Sequence, residues 1–216
     1  DLVPYLQPTY YIDSDHEAVQ AFAHKHSVHT SDVVERVQAL FYAVRDGVRY
    51  NPYRIILRPP YLKASYQAQK TDGYCIEKSN LFVAAARAIG VPARLGFANV
   101  RNHLGTKRLE QILRTDLLVF HGYAEVFLHE RWVKVTPVFD AALCQKLGVQ
   151  PLDFDGVTDC IFQASDKTGN PFMEYVHEHG TFQDLPYDAF VEAMRQHYGH
   201  LFAERQLSGD MVFDFE

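Results

Sequence analysis

The clearest hydrophobic pattern in the chain is a stretch in which apolar residues fall on almost every face of a helix. Between Ile76 and Ile89 there is no proline or glycine, and good helix formers dominate. All-round apolarity of this kind is typical of a helix enclosed by protein on every side. Gly73 marks its start, while Gly90 favours a left-handed turn and Pro92 prevents a restart. We predict that this stretch is the central helix.

Other segments show helical or strand-like spacing of apolar residues. The remaining predicted helices cover residues 17–26, 32–47, 107–113, 141–147 and 187–198. The predicted strands cover residues 93–100, 121–128 and 132–136. A polar break at 129–131 makes the last two strands a hairpin, and residues 50–69, rich in proline and tyrosine, are expected to form a long irregular loop. With 216 residues and 47% hydrophobic content, a single domain over 1–216 is predicted.

Charge and composition narrow the functional classes. The net charge of −6, with no run of lysine and arginine, argues against nucleic acid or an anionic membrane surface as a partner. No segment approaches the roughly 18 consecutive apolar residues of a membrane span. No signal peptide is visible, and three cysteines without C-x-x-C spacing suit a reducing compartment, so a cytoplasmic location is expected.

Metal and cofactor signals are weak. The histidine pairs at 24–26 and 177–179 lack the spacing of zinc ligands, and the acidic loop at 153–159 lacks the spacing of an EF-hand. Cys144 and Cys160 could form a disulfide, but free thiols are expected in a reducing compartment. We predict no metal and no cofactor.

The central helix carries the candidate chemistry. Cys75 lies at its first turn, where free backbone N–H groups and the helix dipole favour a thiolate, so its pKa is expected below the usual value of roughly 8.5. The alternative is that Cys75 is a small buried hydrophobe. His121 opens the hairpin, and an acid follows it, so the chain holds the parts of a Cys-His-Asp/Asn nucleophilic site.

Three motifs together resemble the transglutaminase-like superfamily, a branch of the papain-like cysteine enzymes. They are Gly73-Tyr74-Cys75 entering the helix, Gly90-Val91-Pro92-Ala93-Arg94 leaving it, and the segment 121–126 with Trp132 closing the hairpin. The resemblance covers about 33–140, with an N-terminal arm and a C-terminal extension outside it. It implies a papain-like α+β fold, in which a helical N-terminal half with the central helix packs on an antiparallel sheet. It also implies Cys75 as nucleophile, His121 as base, and acyl transfer from an amide to water or an amine.

The third catalytic residue departs from the family pattern. The family's aspartate slot holds Thr136, and the nearest carboxylate is Asp140. If the hairpin turns through two residues, counting places His121 opposite Val138, with both candidates flanking it. We predict Asp140, because a carboxylate stabilises imidazolium. Thr136 in a weaker role, a helix-capping Asp140, or a degraded site remain alternatives.

Three further points stay open at this level. Gln69 stands six residues before Cys75, where papain-type sites carry an oxyanion amide, and the backbone N–H of Cys75 would be the second donor. The expected substrate is a peptide, a protein or a small amide. The thioester that it forms on the cysteine would be resolved by water or by a second amine. The alternative function is a catalytically inactive binding module on the same fold.

Overall fold

A computed structural model describes residues 1–205 and 211–215. The helices are α1 (Glu17–His26), α2 (Val33–Gly47), α3 (Ala64–Gln67), α4 (Cys75–Ala88), α5 (Lys107–Leu113), α6 (Ala141–Leu147), α7 (Tyr187–His197) and α8 (Gly199–Arg205). The strands are β1 (Arg49–Tyr50), β2 (Arg54–Ile56), β3 (Asp72–Gly73), β4 (Ala93–Asn102), β5 (Leu117–Leu128), β6 (Arg131–Val135), β7 (Met173–Phe182) and β8 (Val212–Asp214). Short 3₁₀ turns cover Val3–Tyr5 and Pro59–Leu62.

Helix α4 is the central helix, as predicted. Every residue from Cys75 to Arg87 is buried. Helices α1, α2 and α3 also contact α4, as do strands β4 and β5. Its first turn is capped by Glu77, whose Oε2 accepts a hydrogen bond from the Tyr74 N–H at 3.1 Å. Its end is followed by Gly90 with φ of 81°.

The main sheet has four strands in the order β6-β5-β4-β7, and all its pairs are antiparallel. Strands β5 and β6 are joined by a two-residue turn at His129 and Glu130, both with positive φ, which is the geometry of a type I′ hairpin. The predicted hairpin and the α+β fold class are therefore confirmed.

Two smaller sheets pair segments that were predicted to be irregular. Strand β1 pairs with β3 in parallel, just before α4, and β2 pairs with β8 near the C-terminus. The prediction of a structureless loop over 50–69 is wrong, since this segment holds β2, a 3₁₀ turn and α3. Strand β7 was also missed, because as an edge strand it is largely exposed and lacks apolar alternation.

No helix within residues 1–205 and 211–215 is both long and apolar enough to span a bilayer. Cys75, Cys144 and Cys160 are free thiols, and all three are buried.

The end of α4 gives a stability test. Gly90→Ala should lower the free energy of unfolding by about 1–2 kcal/mol, because an L-residue is strained at this positive φ. No heavy atom lies within 4 Å of the Cβ position, so a steric clash does not contribute. Denaturant unfolding measures the change.

Gly47→Ala is the matched control, because Gly47 also has open space around its Cβ position but is a helical residue at the end of α2. It should leave stability unchanged or raise it by up to about 1 kcal/mol. Equal effects of the two substitutions would contradict the left-handed stop after α4.

Candidate active site

Helix α4 and strand β5 bring the two predicted catalytic residues into one cavity. Cys75 is the first residue of α4, His121 lies in β5, and both line the same buried space. Cys75 is 8% exposed and His121 is 2% exposed. Gly122 permits this approach, since a Cβ there would lie 3.3 Å from the Ile76 Cα. The structure therefore brings together the cysteine and the histidine that the sequence predicts.

The electrostatics of this pair differ from the prediction. Burial raises the pKa of the Cys75 thiol to about 12, although backbone N–H groups of Gly122 and Ile76 favour the thiolate. Burial also lowers the pKa of His121 to about 3. The predicted low thiol pKa is wrong for this structure, because desolvation outweighs the helix N-terminus. Both groups are neutral near pH 7.

The backbone just before His121 is held in an uncommon conformation. Phe120 has φ of 57°, and its N–H donates to Oδ1 of Asn99 at 2.9 Å. Nε2 of His179 lies 2.8 Å from the same oxygen. The β4–β5 register shifts at this point, between Ala98 and Val100. Asn99 therefore fixes the strand that presents His121.

Sequence reasoning missed Asn99. The available signal was a polar residue in the middle of the apolar β4 run, which is a sign of a bulge. Nothing in the local sequence indicated its partners, which lie 21 and 80 residues away.

The C-terminal extension forms one wall of the cavity. Phe190 and Met194 of α7 line it, together with Tyr198 at the end of that helix. The Tyr198 hydroxyl accepts from the Val119 N–H at 2.8 Å and donates to the Leu117 carbonyl at 2.7 Å. These contacts tie the extension to β5, beside His121.

Asp140 is engaged elsewhere. Its Oδ1 accepts from the Leu143 N–H at 2.9 Å as the N-cap of α6, and its Oδ2 accepts from the Tyr50 N–H at 2.9 Å. The β5–β6 ladder ends at the pair Ala124–Val135, so the counted pairing that placed Asp140 beside the histidine does not form. The capping alternative describes the observed contacts of Asp140.

The described part of the chain shows no third member bonded to the imidazole of His121. Among the described residues, its Nε2 has no hydrogen-bond partner, and the same is true of the buried Oγ1 of Thr136. Burial is the cause of the lowered pKa of His121, and no carboxylate contributes to it.

Gln69 lies away from this cavity. It is exposed, and its Nε2 donates to the Ser65 carbonyl at 3.0 Å. It lines a separate surface depression together with residues of α1, including Lys25. The structure does not bring Gln69 together with Cys75.

Within the described ranges, no group of three or more histidine, cysteine, aspartate or glutamate side chains is arranged to hold a metal ion.

The fold and this site define a class of protein, the papain-like α+β proteins that set a cysteine at a helix N-terminus against a histidine on an antiparallel sheet. Residues 20–137 match the family model of the transglutaminase-like superfamily, which is more than half of the chain. The protein belongs to the transglutaminase-like superfamily, and the resemblance found in its motifs is confirmed.

One solved structure shares the fold, and two others are more distantly similar. A protein from Cytophaga hutchinsonii named "Putative Cysteine Protease" is 18% identical, with a TM-score of 0.50 over 84% of this chain and 55% of its own. A protein from Parabacteroides distasonis named "putative protease" is 13% identical, with a TM-score of 0.38 over 59% of this chain and 26% of its own. A structure named "a TGase" is 15% identical, with a TM-score of 0.38 over 95% of this chain and 51% of its own.

The chain thus spans about half, or less, of the length of these solved structures. No curated protein is similar enough to the chain to match it.

The support of Phe120 by Asn99 gives a second stability test. Asn99→Ala should cost about 1–3 kcal/mol, because the buried Phe120 N–H loses its acceptor. Asn170→Ala is the control, since Asn170 is exposed and bonds only within its own turn, and its effect should stay within about 0.5 kcal/mol. Thermal unfolding of both variants measures the two changes in stability. If Asn99→Ala has an effect as small as that of Asn170→Ala, Asn99 does not stabilise the backbone at Phe120.

The raised pKa of Cys75 gives a test of protonation. Alkylation of Cys75 by iodoacetamide in the folded protein should be slow at pH 7 and should rise about tenfold per pH unit up to pH 10, since the thiolate stays scarce below the pKa of about 12. Peptide mass spectrometry follows the label. The unfolded protein is the control, because its thiols titrate near roughly 8.5. A plateau at pH 6–7 would indicate a preformed thiolate–imidazolium pair instead.

Proposed function

We propose that this protein is a cysteine hydrolase or acyltransferase that acts on an amide or related acyl substrate. The observation that carries the proposal is the shared cavity of Cys75, at the N-terminus of the buried helix α4, and His121 on β5. Superfamily membership is consistent with this chemistry. A peptide, a protein or a small amide is the proposed substrate.

The proposed reaction begins from the neutral pair. The thiol of Cys75 passes its proton to the imidazole of His121 as the sulfur attacks the acyl carbon. The ring is available because its Nε2 has no partner among the described residues. The carbon–nitrogen bond then breaks, the leaving amine takes the proton from His121, and a thioester remains on Cys75. Water or a second amine resolves that thioester.

For the third member, we infer that Asp140 acts as a positioning residue. It accepts a hydrogen bond from the Tyr50 N–H, and Tyr50 lines the cavity with Cys75. It also caps α6. The preceding residue, Phe139, has its ring centroid 6.1 Å from that of His121. Asp140 would therefore shape the cavity wall rather than bind the imidazole directly.

An inactive binding module is the second candidate. It is favoured by one observation, namely that Thr136 occupies the family's aspartate slot and leaves the imidazole without a charged partner.

Acylation of Cys75 separates the two candidates. The protein is mixed with p-nitrophenyl acetate, and intact mass and peptide mapping report the acetyl group. The proposed enzyme should be acetylated at Cys75 and should release the acyl group to water, or faster to added hydroxylamine if amine transfer dominates. Cys75→Ala should abolish the signal and Cys144→Ala should leave it unchanged, because Cys144 is not a lining residue of the cavity. Absence of acylation at Cys75 would favour the binding module.

Asp140 can be tested apart from the chemistry. Asp140→Ala should lower stability by about 2 kcal/mol, because it removes a helix cap and a buried acceptor. It should leave the pH profile of Cys75 acylation unchanged if Asp140 only positions the wall.

A direct triad role predicts the opposite pattern for the same residue. Asp140→Ala would then lose roughly a hundredfold or more in kcat/KM with a shifted pH profile, while Asp140→Asn would keep appreciable activity. Thr136→Val provides the matched comparison. A loss of activity in Thr136→Val with no loss in Asp140→Ala would identify the hydroxyl as the partner of His121.

A further inference from the structure

The walls around Cys75 are almost entirely apolar. The cavity has a volume of about 60 Å³. Its apolar lining comes from β2, α5, β5 and α7, and includes Ile55, Leu109, Leu113, Leu118, Phe190 and Met194. Its size is far below the roughly 300 Å³ or more of a drug-sized ligand pocket. A slender group fits this space better than a bulky one.

None of the described lining residues is an aspartate, glutamate, lysine or arginine. The polar groups of the lining are Cys75, His121 and three tyrosines. Burial raises the pKa of the Tyr50 and Tyr74 hydroxyls well above the usual value, so both stay neutral. A charged substrate group entering here would lose its hydration without gaining a counter-ion, which is strongly unfavourable.

A second apolar chamber adjoins the first. It has a volume of about 20 Å³ and shares lining residues with the Cys75 cavity, among them Ile55, Leu113 and Met194. Its own lining includes Ile112 of α5 and Phe202 of α8. The described residues that line it are all apolar. The two spaces share five lining residues, so a path from the sulfur through both of them would run between α5, α7 and α8 and would be lined by apolar residues.

We propose that this path is an acyl pocket, and that the acyl group transferred to Cys75 is an uncharged, unbranched apolar chain of several carbons. The inference rests on the proposed function and adds the substrate class. The carbonyl carbon would lie at Cys75 and the methylene groups would extend toward Ile112. Each methylene buried in this way favours binding by roughly fourfold.

A chain-length series tests the pocket. The p-nitrophenyl esters of acetate, butanoate and hexanoate are compared with the pimelate monoester, which carries a terminal carboxylate. In each reaction the bond from sulfur to the acyl carbon forms and the ester carbon–oxygen bond breaks. Nitrophenolate leaves, and the thiol proton passes through His121 to solvent. Single-turnover rates are corrected for Cys75→Ala and divided by the rates with N-acetylcysteine.

The expected result is that hexanoate acylates Cys75 at least tenfold faster than acetate, and at least tenfold faster than the pimelate monoester. Equal rates for acetate, hexanoate and pimelate would overturn the acyl pocket while leaving the proposed function standing. Failure of every ester to acylate Cys75 would overturn both.

A variant locates the effect in the second chamber. Ile112→Trp should fill that space, so the ratio of the hexanoate rate to the acetate rate should fall at least tenfold. Gln111→Trp is the matched control, because Gln111 neighbours Ile112 on α5 but is exposed and lines a different depression. An unchanged ratio in a folded Ile112→Trp protein would overturn the proposed path of the chain.

Discussion

The structure depends on how the buried helix α4 satisfies its polar side chains. Lys78 is fully buried, and its ammonium group donates to the carbonyls of Arg45, at 2.9 Å, and Val48, at the C-terminal end of α2. Arg87 donates to three carbonyls, those of Gln7, Ala93 and Gln183. Burial lowers the pKa of Lys78 to about 7, so this placement is unfavourable unless its partners are in position. The helix therefore specifies where its neighbouring segments must lie.

The same enclosure sets the chemistry of Cys75. A helix N-terminus typically stabilises an anion by about 0.3–1 kcal/mol, which is less than the 1.36 kcal/mol of one pKa unit. Burial acts in the other direction and raises the thiol pKa from 9.0 to about 12. Burial is the larger effect, so the thiol stays protonated. Burial also lowers the pKa of His121 and keeps its imidazole neutral. In the proposed reaction the proton would therefore move during the attack on the substrate, because burial does not favour a separated ion pair.

Patterns of nearby residues predicted the helices whose bounds depend on nearby residues. The bounds of α1, α5 and α6 agree with the sequence, and α4 was found from its apolarity and from Gly90. The features that were missed depend on distant partners. Asp140 was predicted to partner His121, but its Oδ2 accepts a hydrogen bond from the N–H of Tyr50, 90 residues earlier. Gln69 had the spacing of an oxyanion donor, but the turn after α3 directs it to the Ser65 carbonyl. Spacing along the chain cannot report such competition.

The boundary of the superfamily match separates shared features from those particular to this chain. The match ends at residue 137 and includes both Cys75 and His121. The cavity is completed by residues beyond it, because α7 supplies Phe190 and Met194, and β8 pairs with β2 beside Ile55. Cys75 and His121 therefore lie within the superfamily match, whereas the apolar lining around them is shared between the matched region and the C-terminal extension. Under the proposed function, changes at Phe190 and Met194 of the extension would alter selectivity without alteration of the helix and strand that present the cysteine and the histidine.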